Sequence, residues 1–485
     1  MNNPDPRRRA FLRRSAAGLA AGGLGLYRRL ALASMLDGGG AVAPAGPHFE
    51  PAADHLIVVF LTGGFSHVDT FDEKPKLRAD DGKAVPSVDL RGTGNQPLLG
   101  SPFRFRSCGA SGLRISELFP GLGTVADELC VIRTLHTDIV EHFQAVLAMH
   151  TGSATVPMPS LGSWLGYGLR PRNPNLPPFV VLCEHLPYAG SQVWDSGFLP
   201  PAHQGVRIVP GPEPIPDIAS TAPSATLHEL EQAMLRDANA CYDRARPGDL
   251  QVRARTATFD VARGLMREAP EAFDLARESP ATLAEFGVDR GDVKSFGWQC
   301  LIARRLVERG VRVVELIDTG SGDNWDAHGD MQAHRPKAQR VDRALAALIR
   351  DLKRRGLLDR TLVAICTEFG RTPWTDAPGT KGRNHYAKAF SSLLVGAGVR
   401  GGTAVGATDE YGIQILENSV HVHDYHATIL HLMGFDHTRL TYRYAGRDFR
   451  LTDVGGRVVR EALARPAGPS AAAGRAGASQ PPARG

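Results

Sequence analysis

Six short runs of apolar and β-branched residues constrain the fold of this chain more than any other feature. Each run is bounded by glycine, proline or polar residues, which predicts strands buried on both faces. Segments with helical periodicity separate most of the runs, and this alternation indicates a mainly parallel sheet with helices on both faces. The predicted strands are residues 55–61, 129–135, 178–183, 311–317, 361–367 and 390–395.

Helices are predicted between these strands wherever apolar residues recur with a helical period. The clearest is residues 339–355, in which Val341, Leu345, Leu348 and Leu352 share one face. Two stretches rich in proline and polar residues, 73–110 and 195–225, have no clear period and are predicted to be loops. The other predicted helices lie within residues 136–152, 226–286, 294–309 and 423–433.

The charge of the chain is concentrated at its beginning. The formal net charge is +5 over 485 residues. Residues 1–30 hold seven arginines against one aspartate, a local charge of +6, so the rest of the chain carries −1. A nucleic-acid-binding protein needs a basic face on its folded domain. The composition therefore gives no support to a nucleic-acid partner.

The arginines at the beginning belong to a targeting pattern. An Arg8–Arg9 pair is followed by Phe11, Leu12 and a weakly apolar run rich in alanine and glycine. This layout predicts a twin-arginine export signal over residues 1–45, recognised by the twin-arginine translocase. The apolar run is too short for a membrane helix. We therefore expect a periplasmic or extracellular protein without a transmembrane span in the mature chain.

Beyond the signal, the sequence predicts one domain over residues 46–455 and a disordered tail over residues 456–485, where alanine, glycine, proline, serine and arginine dominate. The six cysteines have no CxxC or metal-finger spacing. Cys130, Cys183 and Cys366 lie in apolar runs, which predicts buried and unpaired thiols.

Acidic residues and histidines follow three of the predicted strands. They are His67 and Asp69 after the first strand, Asp326 and His328 after the fourth, and Glu368 with His385 after the fifth. Because the carboxyl ends of parallel strands share one edge of a sheet, these side chains are expected to converge there. Carboxylate oxygens and imidazole nitrogens suit zinc or manganese, whereas carboxylates alone favour magnesium or calcium.

Simpler interpretations exist for each piece. Asp-x-His in a glycine-rich turn is often only turn chemistry, and Glu368 could simply pair with Arg371. Arg371 could instead bind two oxygens of a phosphate or sulfate. His136, His142 and His150 could be ordinary half-buried histidines. The sequence contains neither a GxSxG nucleophile motif nor a phosphate-binding P-loop.

Several stretches together carry a family resemblance. The chain resembles an exported domain-of-unknown-function family within the alkaline phosphatase/sulfatase superfamily, which is typical of planctomycetes and related bacteria. The resemblance spans residues 55–453. It rests on LTGGFSHVDTFD (61–72), HTDIVEHFQAVLAMHTGS (136–153), WDAHGD (325–330), TEFGRTP (367–373), GRNHYAKAFSSLLVGAGVRGG (382–402) and HDYHATILHLMGFDHTRLTYRYAGRDFRLTD (423–453).

The resemblance implies an alkaline-phosphatase-like sandwich, with a central, mostly parallel mixed sheet and a metal site at its strand ends. Glu368 would take the place of a metal-binding aspartate. Two departures stand out, because Thr62 and Gly63 occupy the place of another metal-binding aspartate and Phe369 that of a metal-binding histidine. His142 occupies the position of the hydroxyl nucleophile, for which Ser66 or a metal-bound water could substitute.

The leading hypothesis is an exported metal-binding hydrolase of sulfate or phosphate esters on a small molecule or polysaccharide. Its cofactor would be a divalent ion, zinc, manganese or calcium. The alternative is a catalytically degenerate relative that serves as a binding or scaffold module. The expected metal ligands are Asp69, Asp326, His328, Glu368 and His385, and the expected catalytic residues are Arg371, His142 and Ser66.

Overall fold

A nine-stranded sheet forms the centre of the computed structural model, which describes residues 46–84, 96–216, 218, 220–247 and 249–464. In chain order the strands are β1 (His55–Phe60), β2 (Leu129–His136), β3 (Phe179–Cys183), β4 (Val206–Ile208), β5 (Val313–Ile317), β6 (Thr361–Cys366), β7 (Phe390–Gly396), β8 (Thr403–Val405) and β9 (Val420–His421). Their order across the sheet is β8-β2-β7-β6-β1-β5-β3-β4, and β9 also pairs with β2. Strand β7 is antiparallel to both of its neighbours, and the other pairings in this sheet are parallel.

The four central parallel strands end in register. Phe60 at the end of β1 pairs with Cys366 on one side and with Ile317 on the other, and Ile317 also pairs with Cys183 at the end of β3. The loops that follow β1, β3, β5 and β6 therefore leave the sheet at one edge. We call this edge the rim.

Helices cover both faces of the sheet. The longer helices are α1 (His142–Thr151), α2 (Leu161–Gly168), α3 (Ala225–Arg244), α4 (Leu250–Phe273), α5 (Pro280–Phe286), α6 (Phe296–Glu308), α7 (His334–Arg354) and α8 (Val422–Leu432). Residues of α5, α6 and α7 pack with one face of the sheet in one core cluster, and those of α1, α2 and α8 pack with the other face in a second.

Local sequence explains where several of these helices begin and end. Ser160, Ser279 and Ser295 accept hydrogen bonds from backbone N–H groups in the first turns of α2, α5 and α6. Helix α1 ends at Gly152 in the left-handed conformation, with φ of 71°. A Cβ atom there would lie 2.1 Å from the carbonyl oxygen of Leu451, so only glycine fits.

The predicted α/β architecture is confirmed, as are all six predicted strands. Sequence reasoning missed β4, because a three-residue edge strand leaves too short a pattern. It also missed a hairpin of Gly370–Thr375 and Arg383–Tyr386, which lies between the fifth and sixth predicted strands. The predicted loop over residues 73–110 contains the helix Pro75–Ala79 and the strand Phe105–Cys108.

The folded domain extends beyond the predicted boundary at residue 455. Val459 and Ala462 are fully buried, and the Arg400 N–H donates to the Ala462 carbonyl over 2.9 Å. Residues 456–464 are therefore part of the domain rather than of the predicted tail. The predicted export signal (1–45) and the rest of the predicted tail (465–485) lie outside the described residues.

All six cysteines are free, and Cys241 is the exposed one. The predicted unpaired, buried state of Cys130, Cys183 and Cys366 is confirmed. Among the helices of the described residues, none combines the length and the apolar character needed to cross a membrane.

A buried ion pair links α1 to the middle of the sheet. The Nδ1–H of His150 donates to the Val146 carbonyl over 2.7 Å, and its Nε2–H donates to Glu315 Oε1, also over 2.7 Å. Both ring nitrogens act as donors, so the ring is an imidazolium. Burial lowers the pKa of His150, but the attraction and hydrogen bond of Glu315 outweigh it and raise this pKa above its usual value.

Replacing Glu315 by glutamine should destabilise the fold in a pH-dependent way. A raised histidine pKa contributes stability that is fully present below pH 6.5 and is lost as the pH rises through the folded-state pKa. We expect Glu315→Gln to lower the free energy of unfolding by about 3 kcal/mol at pH 6, and by less at pH 9. Denaturant unfolding at both pH values measures this, with exposed Glu417→Gln as the control; an equal loss at both values would contradict the charged pair.

Candidate functional site

The turn after β1 offers backbone N–H groups to the centre of the rim. Gly63 has φ of 108°, and a Cβ atom there would lie 2.7 Å from the Trp325 backbone nitrogen, so only glycine fits. The Gly63 N–H points at the Glu368 carboxylate, 2.9 Å from Oε1 and 3.1 Å from Oε2. The residue that departs from the superfamily's metal-binding aspartate at this position is therefore a backbone donor to Glu368.

Glu368, predicted as a metal ligand, is fully buried at the end of β6 and is surrounded by donors of the chain itself. Besides Gly63, the Thr367 hydroxyl lies 2.9 Å from Oε2, and His142 Nδ1 lies 2.7 Å from Oε1. These contacts satisfy both carboxylate oxygens. Glu368 therefore fixes the orientation of the His142 ring, as carboxylates behind metal-binding histidines do.

Two further histidines are oriented in the same way. His385 Nδ1 lies 2.7 Å from the carbonyl oxygen of Val140, which can only accept a hydrogen bond. His328 Nδ1 lies 3.2 Å from an oxygen of Asp376. With Nδ1 as the donor, the Nε2 atom of a neutral imidazole carries a lone pair. All three rings thus present Nε2 as the atom available to a cation.

The three Nε2 atoms converge on the carboxylate of Asp326. His142 Nε2 lies 3.2 Å from Oδ2, and the Nε2 atoms of His328 and His385 lie 2.8 and 3.3 Å from Oδ1. The Nε2 atoms of His328 and His385 are 3.1 Å apart. Lone pairs facing one another and a carboxylate repel unless positive charge lies between them. Arg371 supplies positive charge beside Oδ1, and the facing Nε2 atoms favour a further cation between them, either a proton on an imidazole or a metal ion.

The pKa values in the cluster reflect the opposing effects of burial and of the neighbouring charged groups. Burial raises the pKa of Asp326, but the close contacts with His142, His328 and His385 and the nearby Arg371 charge hold this pKa far below its usual range. Burial lowers the pKa of His142, but its hydrogen bonds to Asp326 and Glu368 bring the net shift upward. The pKa of His385 is lowered, chiefly by burial.

His142, Asp326 and His385 are the described residues whose ligand atoms are close enough together to hold a metal ion. One atom from each lies within 4.8 Å of the others. Zinc ligands at 2.0–2.2 Å in a tetrahedral site are about 3.3 Å apart. The distance from His385 Nε2 to Asp326 Oδ1 is of this size, and His142 Nε2 lies 3.2 Å from the other oxygen of the same carboxylate. Two imidazole nitrogens and one carboxylate oxygen fit a zinc-like ion and leave a fourth position open. His328 lies at the edge of this set.

Arg371, predicted to bind an anion, is fully buried and holds the turn after β1. Its Nε–H donates to the Gly64 carbonyl over 2.8 Å, and one terminal nitrogen donates to the Gly63 carbonyl. The same nitrogen lies 2.5 Å from Asp326 Oδ1. In this structure the guanidinium connects the turn to the carboxylate of Asp326 rather than facing solvent.

Ser66 and Asp69, also predicted for the site, lie in a separate buried cluster. The Ser66 hydroxyl donates to Asp69 Oδ2 over 2.6 Å, and Asp69 forms an ion pair with Arg383, whose Nε is 2.7 Å from Oδ2. All three side chains are fully buried. Arg383 belongs to the hairpin that carries Arg371 and His385. The Asp69–Arg383 pair therefore fastens this hairpin to the turn after β1.

Aromatic rings enclose the histidines. Phe369 lies 4.6 Å from the ring of His385 and 4.8 Å from that of His142, measured between ring centroids. Tyr188, in the loop after β3, stacks on His142 with centroids 4.1 Å apart and planes 9° apart. Sequence reasoning did not select Tyr188 or its neighbour Asn324. Both residues follow strands whose carboxyl ends lie on the rim. This place in the sequence is the feature that could have identified them.

The fold and the site together define an α/β protein with a histidine–carboxylate centre where its parallel strands end. The chain belongs to the family described as "Protein of unknown function (DUF1501)", whose profile matches residues 53–463. No curated protein matches the sequence.

Three solved structures illustrate the similarity of fold. The lipoteichoic acid synthase LtaP from Listeria monocytogenes is 11% identical and has a TM-score of 0.37; the match covers 83% of this chain and 77% of that one. A protein in the alkaline phosphatase superfamily from Vibrio parahaemolyticus is 11% identical, with a TM-score of 0.34 and coverage of 88% and 72%. A variant of TAB5 alkaline phosphatase with bound Mg is 9% identical, with a TM-score of 0.30 and coverage of 75% and 96%.

Removing the charge of Asp69 should loosen the hairpin that carries His385. Asp69→Asn leaves Arg383 buried without its counter-ion, so we expect a loss of about 3 kcal/mol in the free energy of unfolding. The amides of residues 370–386 should also exchange with solvent faster, because the pair fastens this hairpin. Denaturant unfolding and hydrogen exchange measure the two effects.

Asp351→Asn is the matched control, since Asp351 is also fully buried and lies 2.9 Å from Arg304. It should destabilise the protein without selectively accelerating exchange in the hairpin. Equal acceleration in both variants would contradict a specific fastening role for Asp69.

Proposed function

We propose that this protein is an exported metal-dependent hydrolase of phosphate or sulfate esters. The observation that carries the proposal is the convergence of three oriented Nε2 atoms on Asp326. In the proposed centre, His142, Asp326 and His385 hold one divalent ion, and His328 lies beside it. Glu368 acts behind His142 and is not itself a ligand.

The donor atoms favour zinc or manganese over calcium. Calcium takes six to eight oxygen ligands, whereas imidazole nitrogen suits transition metals and zinc. A bound ion would supply Lewis acidity at an ester oxygen. The positive charge of Arg371 offsets one of the carboxylates of Asp326 and Glu368, so these two with Arg371 and a divalent ion would carry a net positive charge that favours anionic esters.

Exposure favours a reactive centre over a purely structural one. The side chains of Asp326 and His328 are 22% and 35% exposed, while Glu368 and Arg371 behind them are fully buried. A structural zinc site is closed by four protein ligands, whereas a catalytic site keeps one position open. The inner side of the proposed centre is buried and its outer side is accessible, which suits the binding of an ester from solvent.

The chain has no hydroxyl side chain at the position where the superfamily that it resembles carries its nucleophile. His142 stands at that position and its nitrogens are engaged by Glu368 and Asp326. Ser66 is fully buried and donates to Asp69, so its oxygen cannot reach a substrate from solvent. The proposed hydrolysis therefore uses water, with the histidines and Asp326 holding the reacting groups in position.

The proposed location is the periplasm or the extracellular space. This rests on the Arg8–Arg9 pair and the short apolar run that follows it. The substrate would then be an exported or environmental small molecule or a polysaccharide that carries phosphate or sulfate esters.

A second candidate function is a metal-dependent binding module without turnover. The burial of Arg371 and Ser66 and the ring of Phe369 in a metal-ligand position favour it. The two functions share the same ion and differ in whether an ester bond is cleaved.

Metal analysis tests the centre itself. The purified protein should contain about one equivalent of zinc or manganese, and His142→Ala, Asp326→Ala or His385→Ala should abolish stoichiometric binding. Glu368→Gln should weaken binding about 10- to 100-fold, because it removes the charge that orients His142. His437→Ala, outside the centre, should retain the ion. A wild type without a bound ion after metal loading would contradict the proposal.

Ester hydrolysis separates the two candidate functions. The metal-loaded protein should cleave p-nitrophenyl phosphate or p-nitrophenyl sulfate, and Asp326→Asn should lower kcat/KM at least about 100-fold. Ser66→Ala should retain turnover, because its hydroxyl does not reach the centre. A loaded wild type that binds these esters without cleaving them would favour the binding module. A Ser66→Ala variant that loses turnover but keeps its fold and metal would restore Ser66 as the nucleophile.

A further inference from the structure

Tyr188 is held beside His142, a ligand of the proposed metal centre, by two independent contacts. Its ring stacks face to face on His142, with centroids 4.1 Å apart and planes 9° apart. Its hydroxyl lies 3.0 Å from Nδ2 of Asn324, in the loop that leads to Asp326. The ring and the oxygen are thus both fixed beside a ligand of the centre, and the side chain is partly exposed.

The hydrogen bonds of Asn324 determine the role of the Tyr188 hydroxyl. The Asp326 backbone N–H donates to Asn324 Oδ1 over 3.0 Å, and Asn324 Nδ2 lies 3.2 Å from the carbonyl oxygen of Gly320. A backbone N–H can only donate and a carbonyl can only accept, so the amide has one consistent orientation. Nδ2 therefore donates to the Tyr188 oxygen, which acts as the acceptor.

The hydroxyl proton of Tyr188 remains available. Within the described part of the chain, the hydroxyl donates to no side-chain or backbone acceptor. A tyrosine phenol has an ordinary pKa of about 10 and therefore carries its proton at neutral pH. A protonated O–H that already accepts one hydrogen bond has one strong donor bond left to make.

We propose that the Tyr188 hydroxyl donates a hydrogen bond to an oxygen of the substrate's phosphate or sulfate group while that group is held at the centre. The proposal rests on the proposed function, since it needs an anionic group at His142, Asp326 and His385. Tyr188 then has two roles, because its ring fixes the plane of His142 and its hydroxyl binds the oxyanion. Asn324 is a positioning residue that orients the hydroxyl.

The single O–H donor of Tyr188 indicates which kind of ligand oxygen the site would favour. An anionic phosphate or sulfate oxygen accepts a charge-assisted hydrogen bond, which is shorter and stronger than a neutral one. A neutral amide or ether oxygen gains less from the same donor. Tyr188 therefore favours tetrahedral oxyanions over uncharged ligands of similar size.

Titration of the zinc-loaded full-length protein with inorganic phosphate tests this without requiring turnover. Tyr188→Phe removes the hydroxyl and keeps the ring, so metal content should match the wild type while the Kd for phosphate rises about 10-fold or more. Tyr411→Phe is the matched control, because the Tyr411 hydroxyl donates to Asp80 outside the centre. It should bind phosphate like the wild type.

The outcomes separate this proposal from the proposed function. A zinc-loaded Tyr188→Phe variant that binds phosphate as well as the wild type overturns the role of Tyr188 and leaves the metal centre intact. Loaded wild type that binds neither phosphate nor sulfate also overturns it. Failure of the wild type to bind zinc or manganese overturns the centre, and the Tyr188 proposal falls with it.

Discussion

The buried carboxylate of Glu368 is the group on which the arrangement of the rim depends. A carboxylate removed from water is costly unless hydrogen bonds replace its hydration. Here they come from the Gly63 N–H, the Thr367 hydroxyl and His142. Gly63 follows β1, Thr367 follows β6, and His142 is the first residue of α1. The requirement to satisfy one charge therefore joins β1, β6 and α1 and turns His142 toward Asp326.

A second buried interaction secures the other side of the centre. Arg371 and Arg383 extend from one hairpin to the turn after β1, where they contact the Gly63 and Gly64 carbonyls and the carboxylate of Asp69. Buried guanidinium groups are tolerated when their donors are satisfied and paired. The hairpin is fastened by polar contacts, and this explains how its two polar strands become buried.

The burial of this polar hairpin also explains which parts of the fold and of the site could be predicted from the sequence. The strands were predictable because burial on both faces requires continuous apolar runs such as residues 361–367. The hairpin was not, since its burial depends on partners such as Asp69 that lie some 300 residues away in sequence. Asp326, His328, Glu368 and His385 were selected as acids and histidines after strands, and the structure brings them together. The sequence could not show that Glu368 would be engaged by Gly63, or that Asp69 would pair with Arg383.

In the described part of the central sheet, β7 runs antiparallel to both of its neighbours, and this affects how the site is built. A parallel crossover must carry the chain back along the sheet, usually through a helix. Because β7 runs against β6, the chain leaves β6 and enters β7 at the same edge of the sheet, and residues 367–389 need not cover either face. This connection supplies Glu368, Arg371 and His385 from one contiguous segment. Its length and sequence can change without altering the crossovers that hold the sheet, so the chemistry of the rim can diverge while the fold stays constant.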